Sequence, residues 1–203
     1  MNTGNLIIIT APSGAGKTSL VRGLLASDPH TRLSVSYTTR QPRQGEVEGI
    51  DYHFVDQAKF LKMLADAEFM ESAEVHGSHY GTSQKLVDSA LQAGNDVVLE
   101  IDWQGAEQIR RLYPQALSIF ILPPSMQALE QRLHGRAQDS VDVIARRMAA
   151  AREEMSHVSE FDYVIMNDEF QVALEDLCAI VRSRRLKRDK QLRLHQGLFN
   201  SIN

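Results

Sequence analysis

The residues whose order speaks most directly of chemistry are Ala11-Pro12-Ser13-Gly14-Ala15-Gly16-Lys17-Thr18. They follow the apolar run Leu6 to Ile9 and precede Ser19-Leu20-Val21, so the pattern reads strand, tight loop, helix start. Such a loop turns successive backbone N–H groups toward one point at a helix N-terminus, where unpaired amides and the positive end of the dipole attract anions. A polyphosphate is the natural guest. Gly14 and Gly16 allow backbone angles that a Cβ would penalise, Lys17 can reach β and γ phosphates, and the Thr18 hydroxyl can ligate a magnesium ion. Ala11 stands where the pattern G-x-x-x-x-G-K-[ST] has its first glycine. An ordinary glycine-rich turn is the bland alternative.

The elements that must hold this loop can be read outward from it. Leu20, Val21, Leu24 and Leu25 recur at helical spacing until Ser27-Asp28-Pro29 stops them. Arg32 to Ser36 alternates like a short strand, and Tyr37 to Glu46 is a polar loop carrying Arg40 and Arg43. Tyr52 to Val55 reads as a strand, Gln57 to Ala67 as a helix with Phe60, Leu61 and Leu64 inward, and Phe69 to Val75 as another strand. A helix from about Lys85 to Gln92 leads into Val97-Val98-Leu99-Glu100-Ile101-Asp102, a strand whose carboxylate end should lie near Lys17 and Thr18. Leu117 to Leu122 is a further buried strand, and Ser125 can cap the helix carrying Met126, Leu129 and Leu133. A long helix spans about Ser140 to Ser156, Tyr163 to Met166 forms the last strand, and Val172, Leu174, Leu177, Ile180 and Val181 mark a final amphipathic helix with a basic continuation. Five buried strands alternating with helices specify an α/β doubly wound parallel sheet with right-handed crossovers.

Composition sets the outer bounds. A chain of 203 residues with 43% hydrophobic content buries one full core. A net charge of −4 and an isoelectric point near 6.0 argue against wholesale binding to nucleic acid or a membrane surface. The basic run from Arg182 to Arg193 reads as the solvated end of a helix, with a nucleic-acid or subunit contact as the sharper alternative. The single Cys178 lies among Leu174, Leu177 and Val181 and reads as a core residue. Leu6 to Ile9 is too short for a signal core or membrane span, and a soluble cytoplasmic protein is expected. His53, His76, His79 and His134 have no metal-ligand spacing and receive no metal role.

A second set of polar residues makes the reading specific. Ser36-x-Thr38-Thr39-Arg40-x-x-Arg43-x-Gly45-Glu46, Asp51-Tyr52, Phe69-x-Glu71 and His79-Tyr80-Gly81-Thr82-Ser83 follow one another in order. With Ile101-Asp102-Trp103-Gln104-Gly105, Gly135-Arg136 and Val164-Ile165-Met166-Asn167-Asp168, they resemble the guanylate kinases from about Leu6 to Leu186. The resemblance implies a P-loop domain with a core at about 1–35, 85–131 and 157–203. An inserted mixed α/β nucleoside-monophosphate lobe would occupy about 36–84 and a helical lid about 132–156.

That resemblance also implies roles. Arg40, Arg43, Tyr52 and Tyr80 would hold the phosphate of GMP, which suits arginine forks and phenol donors facing a dianion. Glu71, with Ser36 and Thr82, would read guanine. Guanine presents N1–H and N2–H₂ side by side for one carboxylate, whereas adenine would oppose a lone pair to it, a mismatch that discriminates by about 10⁴-fold. The implied reaction is direct phosphoryl transfer from ATP to GMP, and to dGMP with it, in purine nucleotide metabolism. Ala11 to Thr18 would hold the ATP phosphates, with Mg²⁺ at Thr18. Arg136 and Arg147 would be lid arginines closing over the phosphates, although Ala137 stands where a glycine is often seen. Asp102 would lie near the acceptor phosphate and the magnesium shell, or serve as a helix cap. Arg132 is a further lid candidate or a surface ion pair. A non-catalytic guanylate-kinase-like binding module is the alternative, and the retained Gly14, Gly16, Lys17 and Thr18 favour the enzyme. A homo-oligomer through the C-terminal helix stays open.

Overall fold

In the computed structural model, which describes residues 3–75, 77–134 and 141–200, the first apolar run becomes β1 (Leu6–Thr10). Ile7, Ile8 and Ile9 are shut off from solvent on both faces, as a parallel strand covered by helices requires. The phosphate-type loop then enters α1 (Lys17–Ser27), which turns Leu20, Val21 and Leu24 inward. β2 (Thr31–Leu33) precedes a group of short elements: β3 (Tyr37–Thr38), β4 (His53–Phe54), α2 (Gln57–Ala65), β5 (Phe69–Val75) and β6 (Ser78–Ser83). The chain returns through α3 (Gln84–Gln92), β7 (Asp96–Glu100), α4 (Trp103–Leu112), β8 (Leu117–Leu122) and α5 (Met126–His134). It closes with α6 (Val141–Ser156), β9 (Tyr163–Met166), α7 (Phe170–Arg185), α8 (Arg188–Leu194) and α9 (Gln196–Asn200).

Five strands form a parallel sheet in the order β2-β7-β1-β8-β9, with α1 and α7 packed on one face and α3 and α4 on the other. The doubly wound α/β architecture expected from the strand and helix alternation is the one present. A second sheet, in the order β4-β3-β6-β5, is mixed: β3 runs parallel to β4 and antiparallel to β6, which is antiparallel to β5. Between Phe69 and Glu71 the β5–β6 register shifts, so Phe69 opposes Ser83 and Glu71 opposes Thr82. A bulge of this kind re-aims side chains. Here it sends Met70 into the core beneath α3 and leaves Glu71 beside Thr82.

Three expectations about packing are corrected. In α2 the buried pair is Phe60 and Met63, while Leu61 and Leu64 are 46% and 45% exposed. Phe60 stacks on the Phe69 ring and on His79, and a nine-residue helix anchored there buries only the narrow stripe centred between positions 60 and 63. β9 is an edge strand in which Ile165 alone is buried, in the cluster with α1 and α7, while Val164 and Met166 on the other face are exposed. Val172 is likewise exposed, and Ala173, Leu177 and Val181 form the buried seam of α7. Cys178 is half-buried against the core, as expected.

The basic end of α7 is also not simply solvated. Arg185 donates from Nε to Asp96 at 2.6 Å and from Nη2 to Asp28 at 2.6 Å and Thr31 at 3.0 Å. Asp96 is buried, and its other oxygen accepts both the backbone N–H and the side-chain amide of Asn5 at 2.7 Å. The guanidinium thus ties α7 to the starts of β1, β2 and β7. Arg185→Met should cost about 3 kcal/mol, because it strands a buried carboxylate without its counter-charge. Urea denaturation checks this, and an unchanged midpoint would mean that Asp96 finds solvent.

Candidate active site

The loop between β1 and α1 is shaped by two left-handed glycines, Gly14 at φ 94° and Gly16 at φ 96°. A side chain at Gly16 would also collide with the Asn167 amide, whose Nδ2 donates to the Ala15 carbonyl at 2.7 Å. α2, α4 and α5 each start on a side-chain cap, from Asp56, Asp102 and Ser125 respectively. α1 starts on Gly16 and has none. Its first amides and its dipole are therefore available to an anionic ligand.

The parallel register of β1 and β7, with Ile9 opposite Glu100, brings both strands to the same edge of the sheet. Lys17 Nζ donates to the Ile101 carbonyl at 3.1 Å and Thr10 Oγ1 donates to the same oxygen at 3.1 Å. The Thr18 hydroxyl donates to Glu100 Oε1 at 2.5 Å. Glu100 was missed as a site residue, and its signal was available: it is the last residue of a buried parallel strand next to the loop's own strand. Asp102, two residues further, caps α4 by accepting from Gly105 N–H at 2.9 Å and from Gln104 Nε2 at 3.0 Å, and it also lines the cleft. Cap and cleft residue are thus both true of it.

This cleft, of about 270 Å³, runs from Pro12, Ser13, Lys17 and Thr18 to Ser36, Arg43, Tyr52, Glu71 and Tyr80. One continuous space therefore touches the anion-seeking loop and the second sheet. Glu71 is 4% exposed and accepts the Thr82 hydroxyl at 2.5 Å. Burial raises its carboxyl to about 7, the Asp102 charge adds to the rise, and the Thr82 bond only partly offsets it. Thr82 itself stands fully buried behind Glu71. Burial, with Glu100 and Tyr80 nearby, likewise pushes Tyr52 up to about 12, so its hydroxyl is a donor.

Arg40 is held away from solvent by a fork. Its Nη2 donates to both oxygens of Glu46, at 2.8 and 3.0 Å, its Nε to Tyr80 Oη at 3.3 Å and its Nη1 to the Gln41 carbonyl at 2.7 Å. Burial works against both charges, but the pairing outweighs it and holds the Glu46 carboxyl below its usual range. Glu46 also accepts the Arg43 backbone N–H at 2.7 Å, so one carboxylate sets the geometry of both arginine positions. Sequence reasoning gave it no task.

α6 reaches back over the loop. Arg147 Nη2 donates to Ser13 Oγ at 3.0 Å, and Glu154, seven residues on and so on the same helix face, accepts the Ser13 backbone N–H at 3.2 Å. Burial raises the Glu154 carboxyl, against the pull of Ser13 N–H and Lys17. Glu154 too was missed, hidden in the Arg-Glu-Glu surface pattern of its helix. Among the described residues Arg132 makes no ion pair; its Nη2 donates to the Asn167 carbonyl at 2.9 Å. Arg136 lies outside the described residues, as do Ala137 and His76.

Hard oxygen ligands, the Thr18 hydroxyl and the Glu100 and Asp102 carboxylates, line the loop end of the cleft. They suit Mg²⁺, which prefers oxygen and keeps waters and phosphate oxygens in its shell. Among the described residues no group of three or more His, Cys, Asp or Glu forms a ready-made metal cage, so such an ion would arrive with its nucleotide.

Similarity to known proteins identifies a family. The family model for guanylate kinase matches residues 3–184. A guanylate kinase of Methylobacillus flagellatus is 65% identical over 199 residues, covering 98% of each chain. One of Thiobacillus denitrificans is 59% identical over 199 residues, covering 98% of this chain and 95% of its own. Among solved structures, guanylate kinase from Anaplasma phagocytophilum matches with a TM-score of 0.78 at 33% identity, over 92% of this chain and 89% of that one.

The Glu71 environment predicts a pH-dependent stability. The folded carboxyl holds its proton up to about 7 and the unfolded one only to about 4.5. Between those values the folded state binds more protons, so its stability falls as pH rises through that window. Relative to Glu71→Gln, the unmodified protein should lose about 3 kcal/mol between about pH 4 and pH 8. Urea titrations across that range check it, and parallel curves would show a solvated carboxylate.

Proposed function

The chain belongs to the guanylate kinase family, and on that premise we propose that it transfers the γ-phosphoryl group of ATP to GMP, and to dGMP with it, giving ADP and GDP. The observation that carries the reading is the single cleft that joins an uncapped phosphate loop to a buried carboxylate, Glu71, flanked by Ser36, Arg43, Tyr52 and Tyr80. The intact loop and the full-length similarity to named guanylate kinases support catalysis over the non-catalytic binding module.

The chemistry asks the protein to align rather than to bond. An oxygen of the GMP phosphate attacks the γ phosphorus, a new P–O bond forms, the bond to the β-phosphate oxygen breaks, and ADP leaves with the electron pair. No covalent enzyme intermediate is needed. Gly14 to Thr18 hold the donor phosphates through backbone N–H groups, and Lys17, fixed by the Ile101 carbonyl, neutralises charge on the transferring group. Arg40, Arg43, Tyr52 and Tyr80 grip the acceptor phosphate. Arg40 already spends most of its donors on Glu46, Tyr80 and Gln41, so binding a dianion exchanges some of these bonds for new ones. Ionised Glu71 accepts guanine N1–H and N2–H₂, Thr82 orients it, and Ser36 supplies a hydroxyl at the same end. Mg²⁺ would be held by Thr18 and the nucleotide phosphates, with Glu100 and Asp102 behind it, and would supply positive charge to the β and γ oxygens.

Residues 36–84 act in this reading as the acceptor lobe and 132–156 as the lid, with Arg147 and, by resemblance, Arg136 brought over the phosphates so that water is excluded as a competing acceptor. No helix among the described residues is long and apolar enough to cross a membrane. A cytoplasmic place in purine nucleotide metabolism, where both nucleotides and Mg²⁺ are abundant, completes the proposal. Exposed Leu186, Leu192 and Leu194 support a homo-oligomer through the C-terminal helices, which sedimentation velocity reads directly.

A coupled ADP-release assay with ATP and Mg²⁺ against GMP, AMP, CMP, UMP and dTMP tests the function. GMP should be the preferred acceptor, and failure with GMP would sink the reading. Lys17→Ala should lower kcat by about 10³-fold while calorimetric GMP binding stays nearly unchanged. Since only ionised Glu71 accepts both guanine donors, kcat/KM for GMP should fall about tenfold per unit as pH drops below about 7, with a flatter profile in Glu71→Gln.

A further inference from the structure

β5 is the last strand of its sheet, so the outward N–H and C=O of Ser72, the residue after Glu71, have no neighbouring strand to pair with. A side chain from the main core takes that place. The Ser72 N–H donates to Gln108 Oε1 at 3.1 Å, and Gln108 Nε2 donates to the Ser72 carbonyl at 2.8 Å. One carboxamide thus pairs with both groups of a single strand residue, as an adjacent strand would.

One turn earlier on α4, and on the same face as Gln108, lies Gly105. A Cβ there would stand 2.6 Å from Glu71 Oε2 and 3.2 Å from its Cδ, so the helix surface leaves room for the carboxylate and nothing more. α4 does not drift, because Ala106 and Ile109 are fully buried against the five-stranded core and Asp102 caps its first turn. The Glu71 carboxylate is therefore bounded on three sides: by Thr82 across the strand pair, by Gly105 beneath, and by the Gln108 clamp on the backbone next to it.

We infer that Gln108, with Gly105, is a positioning residue for base selection, which locks the strand carrying Glu71 to the core helix so that the carboxylate meets the acceptor base at one fixed depth. This rests on Glu71 reading the guanine edge. Two hydrogen-bonded donors on one base need both carboxylate oxygens at set distances, and a shift of a few tenths of an ångström lengthens one bond as it shortens the other. Gln108 is not among the residues that line the cleft, so its loss should act through Glu71 on the acceptor base alone.

The test compares Gln108→Leu, which keeps the bulk and removes both bonds, with Gln108→Glu, which keeps an acceptor for the Ser72 N–H but opposes the Ser72 carbonyl. kcat and KM are measured for GMP and for IMP, which lacks the 2-amino group, together with KM for ATP. Gln108→Leu should raise KM for GMP roughly tenfold and lower the GMP-over-IMP preference by a similar factor, with kcat and KM for ATP near their original values. Gln108→Glu should fall between. Gly105→Ala, a small change that crowds Glu71 directly, should lower the same preference and serves if Gln108→Leu does not fold. If Glu71→Gln loses the preference while Gln108→Leu and Gly105→Ala keep it, the positioning role is wrong and the base reading stands. If Glu71→Gln keeps the preference, the base reading itself fails and takes the inference with it. Equal losses for GMP, IMP and ATP in Gln108→Leu would mark general destabilisation and overturn the role.

Discussion

The register of β1 on β7, with Ile9 opposite Glu100, decides where chemistry can happen in this molecule. Both strands are buried runs that end at one edge of the sheet, and each end is polar: a glycine loop follows β1, and β7 closes on Glu100 with Asp102 two residues beyond. Because Ile7, Ile8 and Ile9 are buried on both faces, they alone would tolerate a slip of one residue; the polar contacts at the two ends, Asn5 on Asp96 and the Thr10 hydroxyl on the Ile101 carbonyl, pin the register. Burial of the two strands, with these end contacts, thereby fixes Glu100 on the Thr18 hydroxyl and Ile101 on the Lys17 ammonium. The core does not merely support the site. It sets the distances within it.

Charge in the cleft is balanced internally before any ligand enters. Lys17 rests on a carbonyl, Arg40 on Glu46, and Arg147 on the Ser13 hydroxyl whose own backbone N–H rests on Glu154. Partnering of this kind avoids the desolvation penalty of lone buried charges, and it holds each side chain near the geometry it will use. On the proposed function, a polyanion would replace these partners rather than create order from nothing. Glu154 and Glu71, both raised by burial, are the places where this balance is least complete.

How much of this was legible in the sequence follows from how local each feature is. β8 spans the residues its apolar run suggested, and the loop from Ala11 to Thr18 could be read because strand, glycines, lysine and helix start are contiguous. Arg40, Arg43, Tyr52, Glu71 and Tyr80 were recognisable as an ordered set, but their arrangement was not. The shift at Met70 that opposes Glu71 to Thr82 leaves only a faint mark: Phe-Met-Glu-Ser sets two apolar residues before two polar ones instead of alternating, and the doubling does not say which residue slips. Leu61 and Leu64 were misplaced for a related reason. The inward stripe of α2 is chosen by where the Phe69 ring sits, which only the folded sheet determines. Glu100 was overlooked in favour of Asp102 because strand periodicity locates a strand end only to within a residue or two. Arg185 looked like one of several solvated cations until Asp28 and Asp96, far away in sequence, met it.

The two halves of the cleft are therefore built on different principles. On the proposed function, the donor half is one continuous turn whose ligand groups would be mostly backbone amides, so its geometry is secured by two glycine conformations and the strand behind them. The acceptor half has no such shortcut. Its carboxylate, phenols and guanidinium come from β5, β6, the residues around β3 and the loop before β4, and each is set by partners in another element: Thr82 for Glu71, Glu46 for Arg40, Gln108 for the strand itself. A backbone cradle accepts any polyphosphate with the right spacing, whereas a base must be told from its near relatives atom by atom. Discrimination of that kind requires side chains with unique donors and acceptors, and side chains hold a position only when other side chains hold them. On the proposed function, the denser polar network lies on the acceptor side, where the choice of substrate would be made.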